Sequence, residues 1–153
     1  MKLYGKDYTQ HRSVGFYSDK GSGYKYSGQT TPVNQFHDFP NMKRLLSEVN
    51  GTFESEFNGI LVNYYKDGED RIARHADKYD VDPMHGVVAI SWGSSRIFRV
   101  TKDKINVLDL RTTPGQIIHM TGEFQKHYQH EVPKEKKVKE PRYSFTFRKH
   151  KDV

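Results

Sequence analysis

The chain changes rhythm near residue 50. Before that point, Met42, Leu45, Leu46 and Val49 recur at i, i+3, i+4 and i+7, one apolar stripe along a helix over 41–49. Asn50-Gly51 follows as a helix stop. After Phe53 and Phe57 the pattern becomes strand-like, and strands are expected over 59–65, 85–91, 96–101, 105–110, 116–120 and 142–148. Turn residues stand between them at Lys66-Asp67-Gly68, Lys102-Asp103-Lys104 and Thr113-Pro114-Gly115. A charged loop, 134–140, precedes the last strand. Many short strands with little helix after residue 50 predict a mainly β fold with a flanking helix, a double sheet of jelly-roll type. The core is expected over 53–149, within a single domain of 153 residues.

Residues 1–38 break both rhythms. Tyr17, Tyr24 and Tyr26 sit among Gly15, Gly21, Gly23 and Gly28 with little periodicity. Two readings stay open: a loop-rich hairpin whose tyrosines pack on the domain, or a flexible flap whose aromatic faces stack on bases.

Composition narrows the chemistry. With no cysteine, disulfides, Cys-ligated zinc and a Cys nucleophile are excluded, which fits an intracellular home. The start of the chain lacks the apolar stretch of a signal peptide, and no apolar run is long enough to span a membrane. A net charge of +6 favours an anionic partner, nucleic acid first. A cytoplasmic monomer, nuclear in a eukaryote, is the expectation.

Two stretches carry candidate chemistry. In extended chain, His75 and Asp77 of His75-Ala76-Asp77 point to one face, where an imidazole and a carboxylate can converge on a cation. A second histidine would complete the two-His, one-carboxylate set of non-haem Fe(II) oxygenases. Spacing leaves His119, His127 and His130 all open for that place. On the last strand, Arg142, Ser144, Thr146 and Arg148 share one face, and Tyr143, Phe145 and Phe147 share the other, expected to be a core face. If the first face is buried, its guanidiniums need anionic partners, because arginine stays charged. Over a strand span of roughly 20 Å, that geometry suits a short dicarboxylate lying lengthwise. If it is an edge face, water solvates it.

These pieces occur in order with Tyr24-Lys25-Tyr26-Ser27-Gly28, Asn63-Tyr64-Tyr65-Lys66-Asp67-Gly68, Ser91-Trp92-Gly93 and the run from Gln125 to Pro133. Together, across 12–149, they resemble the AlkB-type Fe(II)/2-oxoglutarate dioxygenases, nucleic-acid repair demethylases with a double-stranded β-helix (jelly-roll, cupin-like) core. The resemblance implies His75, Asp77 and His130 as catalytic iron ligands. It implies Asn63, Tyr65, Arg142, Ser144 and Arg148 around 2-oxoglutarate, with O₂ as the other cosubstrate. It also implies that 1–38 contains a nucleotide-recognition lid, with Tyr24 and Tyr26 as contacts. Phe16 and Tyr17 are looser candidates for stacking on a base, and Lys102 and Lys104 for holding phosphates. The implied activity is oxidative demethylation of 1-methyladenine and 3-methylcytosine in DNA or RNA, releasing formaldehyde, succinate and CO₂. The base must be flipped out or single-stranded.

Two residues depart from the family pattern. Tyr79 stands where many relatives carry an acid that contacts the base, and Ser144 where some carry Asn. They leave two rivals in view: the same chemistry on a protein side chain or another substrate, and a catalytically silent nucleic-acid-binding module.

Overall fold

The computed structural model describes the backbone of residues 2–3, 6–7, 11–19, 24–26, 29–77 and 82–151, and the side chains of 11–19, 30–77 and 82–151. In chain order the strands are β1 (Lys2–Leu3), β2 (Lys6–Asp7), β3 (Ser13–Ser18), β4 (Tyr24–Tyr26), β5 (Gln29–Thr31) and β6 (Val33–Asn34). A short 3-10 turn, Phe36–Asp38, leads into helix α1 (Pro40–Phe53). Then come β7 (Gly59–Tyr65), β8 (Ile72–His75), β9 (Val87–Gly93), β10 (Ile97–Lys102), β11 (Ile105–Arg111) and β12 (Ile117–Met120). Helix α2 (Gly122–His127), β13 (Gln129–Val132) and β14 (Arg142–Arg148) complete the chain.

Ten strands form two sheets. One has six strands in the order β12-β9-β14-β7-β3-β6, the other four in the order β11-β10-β13-β8. Their inner faces meet where Val87, Ala89 and Met120 of the larger sheet cluster with Phe98 and Val100 of the smaller. This is the jelly-roll expected from the strand pattern. Helix α1 covers the outer face of the larger sheet, packing Leu46 and Val49 on Ile60, Val88 and Phe147. Its stripe therefore meets strand residues of even spacing, and the two periodicities interlock.

Several expectations change. The helix runs through Asn50-Gly51 and ends only at Phe53, with Glu54 in the left-handed region (φ 51°) returning its N–H to the Asn50 carbonyl. Phe53 packs against the α1 cluster. Its burial, worth up to about 1.5–3 kcal/mol, outweighs the roughly 1 kcal/mol that glycine costs a helix. Asn50 instead organises the next loop: Oδ1 accepts from the Phe57 N–H at 2.8 Å, and Nδ2 donates to the Phe57 carbonyl at 3.0 Å. The strand expected over 85–91 begins later, at Val87, because Gly86 turns the chain with φ 65°. A β-carbon there would lie 2.2 Å from the Met120 carbonyl oxygen, so the close approach of the two segments requires glycine.

Helix α2 and strands β8 and β13 stand in stretches where the apolar pattern predicts no element. On β14 one face settles an open choice and the other departs from expectation. The strand is central, paired with β7 on one side and β9 on the other, so its polar face is the buried inner one. On the aromatic face Phe147 is fully buried under α1 and Phe145 packs partly buried against the same cluster, but Tyr143, at the other end, is 39% exposed beside Tyr64.

Candidate metal centre

Strand β8 ends at His75, and antiparallel pairing with β13 sets His75 directly opposite His130. Their rings lie 4.3 Å apart. Asp77 follows two residues beyond β8 and turns its carboxylate to the same place, with Oδ2 3.6 Å from His130 Nε2. One donor atom from each of His75, Asp77 and His130 falls within 4.8 Å of the others, a set that could hold a metal ion. Of the three histidines that spacing left open, register selects His130. His119 lies on β12 and contacts the His85 carbonyl and the Phe53 ring, while His127 pairs with Glu123 on α2.

The protonation states suit a cation. Burial pushes the His130 pKa down to about 3, with the neighbouring His75 adding to the effect. Burial likewise lowers the pKa of His75, whose Nδ1 lies 2.8 Å from the Ala73 carbonyl. That contact places the proton on Nδ1, so the lone pair that can serve as a metal ligand is on Nε2. Burial alone would raise the Asp77 pKa, but the charges of Arg148, His75 and His130 outweigh it and hold the group at about 2. Two neutral imidazoles and one carboxylate are thus ready at neutral pH, the states in which such side chains bind metal. Asp77 Oδ2 and His130 Nδ1 are buried without a hydrogen-bond partner among the described residues. A buried carboxylate oxygen left in that state is costly, and a cation at the triad would satisfy it. The donor set therefore fits a divalent metal.

A cleft between the sheets runs from this cluster along the polar face of β14. Arg148 stands at the metal end, Nη2 lying 3.4 Å from Asp77 Oδ1 and Nη1 donating to Thr146 Oγ1 at 2.6 Å. Arg142 stands at the far end and donates to Ser91 Oγ at 2.9 Å. Its guanidinium lies 5.4 Å from the Tyr65 ring centre. Its Nε and Nη1 are buried with no hydrogen-bond partner among the described residues, and burial lowers its pKa. Between the ends, Ser144 pairs in register with Asn63 of β7, and Arg142 with Tyr65. Asn63, Tyr65, Ser144 and both arginines therefore line one cleft.

Two contributors escape a linear reading. Arg12 lines the cleft and donates from Nε to Asn63 Oδ1 at 2.7 Å, across 51 residues of sequence. No local pattern marks it. Arg96, 1% exposed, donates to the carbonyls of Asp67, Asp70 and Pro133, and its guanidinium lies 5.6 Å from the Tyr65 ring centre. It ties the turns after β7 and β13 together behind the cleft. It stands just before β10, and no local pattern marks its burial.

The expected base contacts divide. Phe16 is fully buried on β3, edge-on to His150, and has no free face for a base. Tyr17 points to the α1 side, packing edge-on against Phe39 at 5.1 Å and away from the cleft. Both readings as base-stacking residues are corrected: β3 is a strand of the main sheet, so its aromatic side chains build cores on both faces. For the same reason, part of the 1–38 segment is sheet and not lid. Lys102 lies 5.6 Å from the Tyr128 ring centre, and Lys104 occupies the β10–β11 turn with φ 66°. Tyr24 and Tyr26 belong to β4, which pairs with β5, but their side chains lie outside the described residues, as does Tyr79.

Comparison with known proteins agrees with this geometry. A family model described as the 2OG-Fe(II) oxygenase superfamily matches residues 2–148. Human DNA oxidative demethylase ALKBH2 is 30% identical over 159 residues, covering 97% of this chain and 60% of that protein. Mouse alpha-ketoglutarate-dependent dioxygenase alkB homolog 3 is 28% identical over 155 residues, covering 92% of this chain and 52% of that protein. The solved structure of OsALKBH1 shares the fold with a TM-score of 0.61 at 16% identity, over 94% of this chain and 83% of that one. The chain spans 60% of the length of human ALKBH2 and less of the second relative. A family match over nearly the whole chain, on a jelly roll that brings together two histidines and an aspartate, leads to one conclusion: the chain belongs to the 2OG-Fe(II) oxygenase superfamily and is of the AlkB type.

Proposed function

We propose that this chain is an Fe(II)- and 2-oxoglutarate-dependent dioxygenase that removes methyl groups from N-alkylated bases, 1-methyladenine and 3-methylcytosine, in DNA or RNA. The observation that carries the reading is the inner face of β14, which sets two buried arginines along a cleft that ends at the His75, Asp77 and His130 donors. His75, Asp77 and His130 would hold the iron. Arg148, beside Asp77, would meet the 2-oxoglutarate carboxylate nearer the metal. Arg142, with Tyr65 beside it, would take the far carboxylate, where a guanidinium gives the strongest pairing. Ser144 and Asn63 line the space between, with Arg12 fixing the Asn63 carboxamide. Iron with 2-oxoglutarate and O₂ would supply the oxidation that converts the N-methyl group to formaldehyde, with succinate and CO₂ as the other products.

The protein's own part is position and charge. Buried arginines neutralise and orient a dianion, and apolar side chains such as Leu61, Ile118 and Val132 keep the cleft dry around it. The names of the relatives and the basic charge support a nucleic-acid partner. Lys102 and Lys104, on the hairpin beside β13, are the phosphate contacts we assign. Within the expected 1–38 lid, the β4–β5 hairpin remains the candidate for covering the base.

The test offers purified protein, Fe(II), ascorbate and 2-oxoglutarate with DNA and RNA strands bearing either base. Loss of one methyl, matched by succinate and formaldehyde, is the expected result. Asp77→Ala and His130→Ala should fold and show no turnover. Succinate without base repair would move the chemistry to another substrate, and metal binding with no succinate would favour a silent nucleic-acid-binding module.

A further inference from the structure

Asp77 lies outside the ladder that places the two histidines. Strand β8 ends at His75, so the β8–β13 pairing that sets His75 against His130 stops before the carboxylate. What meets the Asp77 backbone is a side chain from α2: the Asp77 N–H donates to Gln125 Oε1 at 2.9 Å. Gln125 is 5% exposed, the one α2 residue that is buried. The bond from Asp77 also fixes which way the carboxamide faces, since only its oxygen can accept. Its Nε2 is buried with no hydrogen-bond partner among the described residues.

Helix α2 is itself anchored. Thr121 Oγ1 caps it by accepting from the Phe124 N–H at 3.1 Å. Gly122 lies so close to the segment that follows Asp77 that a β-carbon there would sit 2.3 Å from the Pro83 carbonyl oxygen. Phe124, the neighbour of Gln125, packs on the His130 ring with 6.1 Å between centres. One short helix thus touches both ends of the 77–83 segment and the far side of the second histidine. No apolar stripe explains it, and its one buried polar side chain is spent on a backbone amide of the triad.

We propose that Gln125 is a positioning residue for the metal centre: by accepting the Asp77 N–H it holds the Asp77 carboxylate at the face shared with His75 and His130. This rests on the metal reading above. Residues that orient the groups around a metal typically cost about 10- to 100-fold in metal affinity when replaced. Gln125→Met keeps the length, volume and helix preference of the side chain but removes the strong acceptor. Gln125→Glu keeps an oxygen in the same place.

The experiment titrates Mn(II) alone into each protein and reads bound metal by loss of the free-ion EPR signal, with near-UV circular dichroism as the check on folding. Expected is a loss of about 10- to 100-fold in Mn(II) affinity for Gln125→Met, with Gln125→Glu restoring affinity toward wild type. Unchanged affinity in Gln125→Met would overturn the proposal, as would equal losses in the two variants, since packing and not the hydrogen bond would then matter. Should Gln125→Met misfold, Gln125→Asn withdraws the oxygen by one methylene, and wild-type affinity there would likewise overturn it. His130→Ala serves as the control: if wild type and His130→Ala bind Mn(II) equally, the metal reading itself fails, and the role of Gln125 fails with it.

Discussion

Arg142→Met separates the cost of a buried cation from its use. Arg142 is 2% exposed, and the hydrogens on Nε and Nη1 have no acceptor among the described residues. Replacing unfavourably buried charge by apolar atoms of similar volume stabilises proteins by about 1–4 kcal/mol. Against that, the change removes the bond to Ser91 Oγ and the contact with the Tyr65 ring. Those losses come to about 1–2 kcal/mol. Taking the middle of each range, the ligand-free protein should gain about 1 kcal/mol, a rise in melting temperature of about 2–4 °C for a domain of this size. The cosubstrate response should move the other way. Removing one partner of a buried charge pair costs about 2–5 kcal/mol, at least about 30-fold in 2-oxoglutarate affinity. Wild type with Mn(II) and 2-oxoglutarate at 100 times its dissociation constant should be stabilised by about 2.7 kcal/mol, a shift that the variant largely loses. The assay is thermal unfolding of both proteins, with Mn(II), with and without 2-oxoglutarate. A ligand-induced shift of undiminished size would refute the assignment of Arg142 to the far carboxylate, and a ligand-free variant less stable than wild type would refute the cost assigned to its burial.

Three further outcomes follow from particular contacts. Phe16→Ala should cost about 3–5 kcal/mol in urea unfolding because it empties a fully buried site; an undiminished midpoint together with selective loss of oligonucleotide binding would restore Phe16 as a base contact. Gly51→Ala should stabilise by about 0.5–1 kcal/mol, since Gly51 lies inside α1 and nothing lies within 4 Å of an added β-carbon; destabilisation in the same assay would return Gly51 to the helix stop. His150 carries the pH prediction: burial first, then the Arg148 charge, pushes its pKa from 6.5 down to about 3 against the opposing pull of Asp77. The unfolded chain then binds a proton that the folded protein refuses, so this contribution to stability is present above pH 6.5 and is lost as pH falls toward 3. Between pH 7 and pH 5 it amounts to at most about 2 kcal/mol. Urea midpoints of wild type and His150→Leu at both pH values should show the smaller loss in the variant, and equal losses would count against it.

Much of the architecture was legible because its period is local. Alternation set the bounds of β7 and β14 and sorted Arg142, Ser144, Thr146 and Arg148 onto one side, since successive side chains of a strand point to opposite faces. The helical stripe of α1 was equally plain, and so was the pairing of His75 with a carboxylate two residues on. What alternation could not say is which face of β14 lies inside. That was decided by its place between β7 and β9, which buries the arginine face against the second sheet and leaves Tyr143 at the surface. Contacts between residues far apart in sequence have no local period: the family resemblance, and not spacing, joined His130 to His75, and neither the reach of Arg12 to Asn63 nor the Gln125 bond to Asp77 could be read. Helix α2 was missed for a related reason. Six residues are too few to show a helical stripe, and its stability comes from a cap and from packing on distant segments. The sequence alone determined the strand periods, the charge and the chemical types at hand. Tertiary structure determined which of them meet, because a metal and cosubstrate cleft is assembled from register and burial, which depend on strands far apart along the chain.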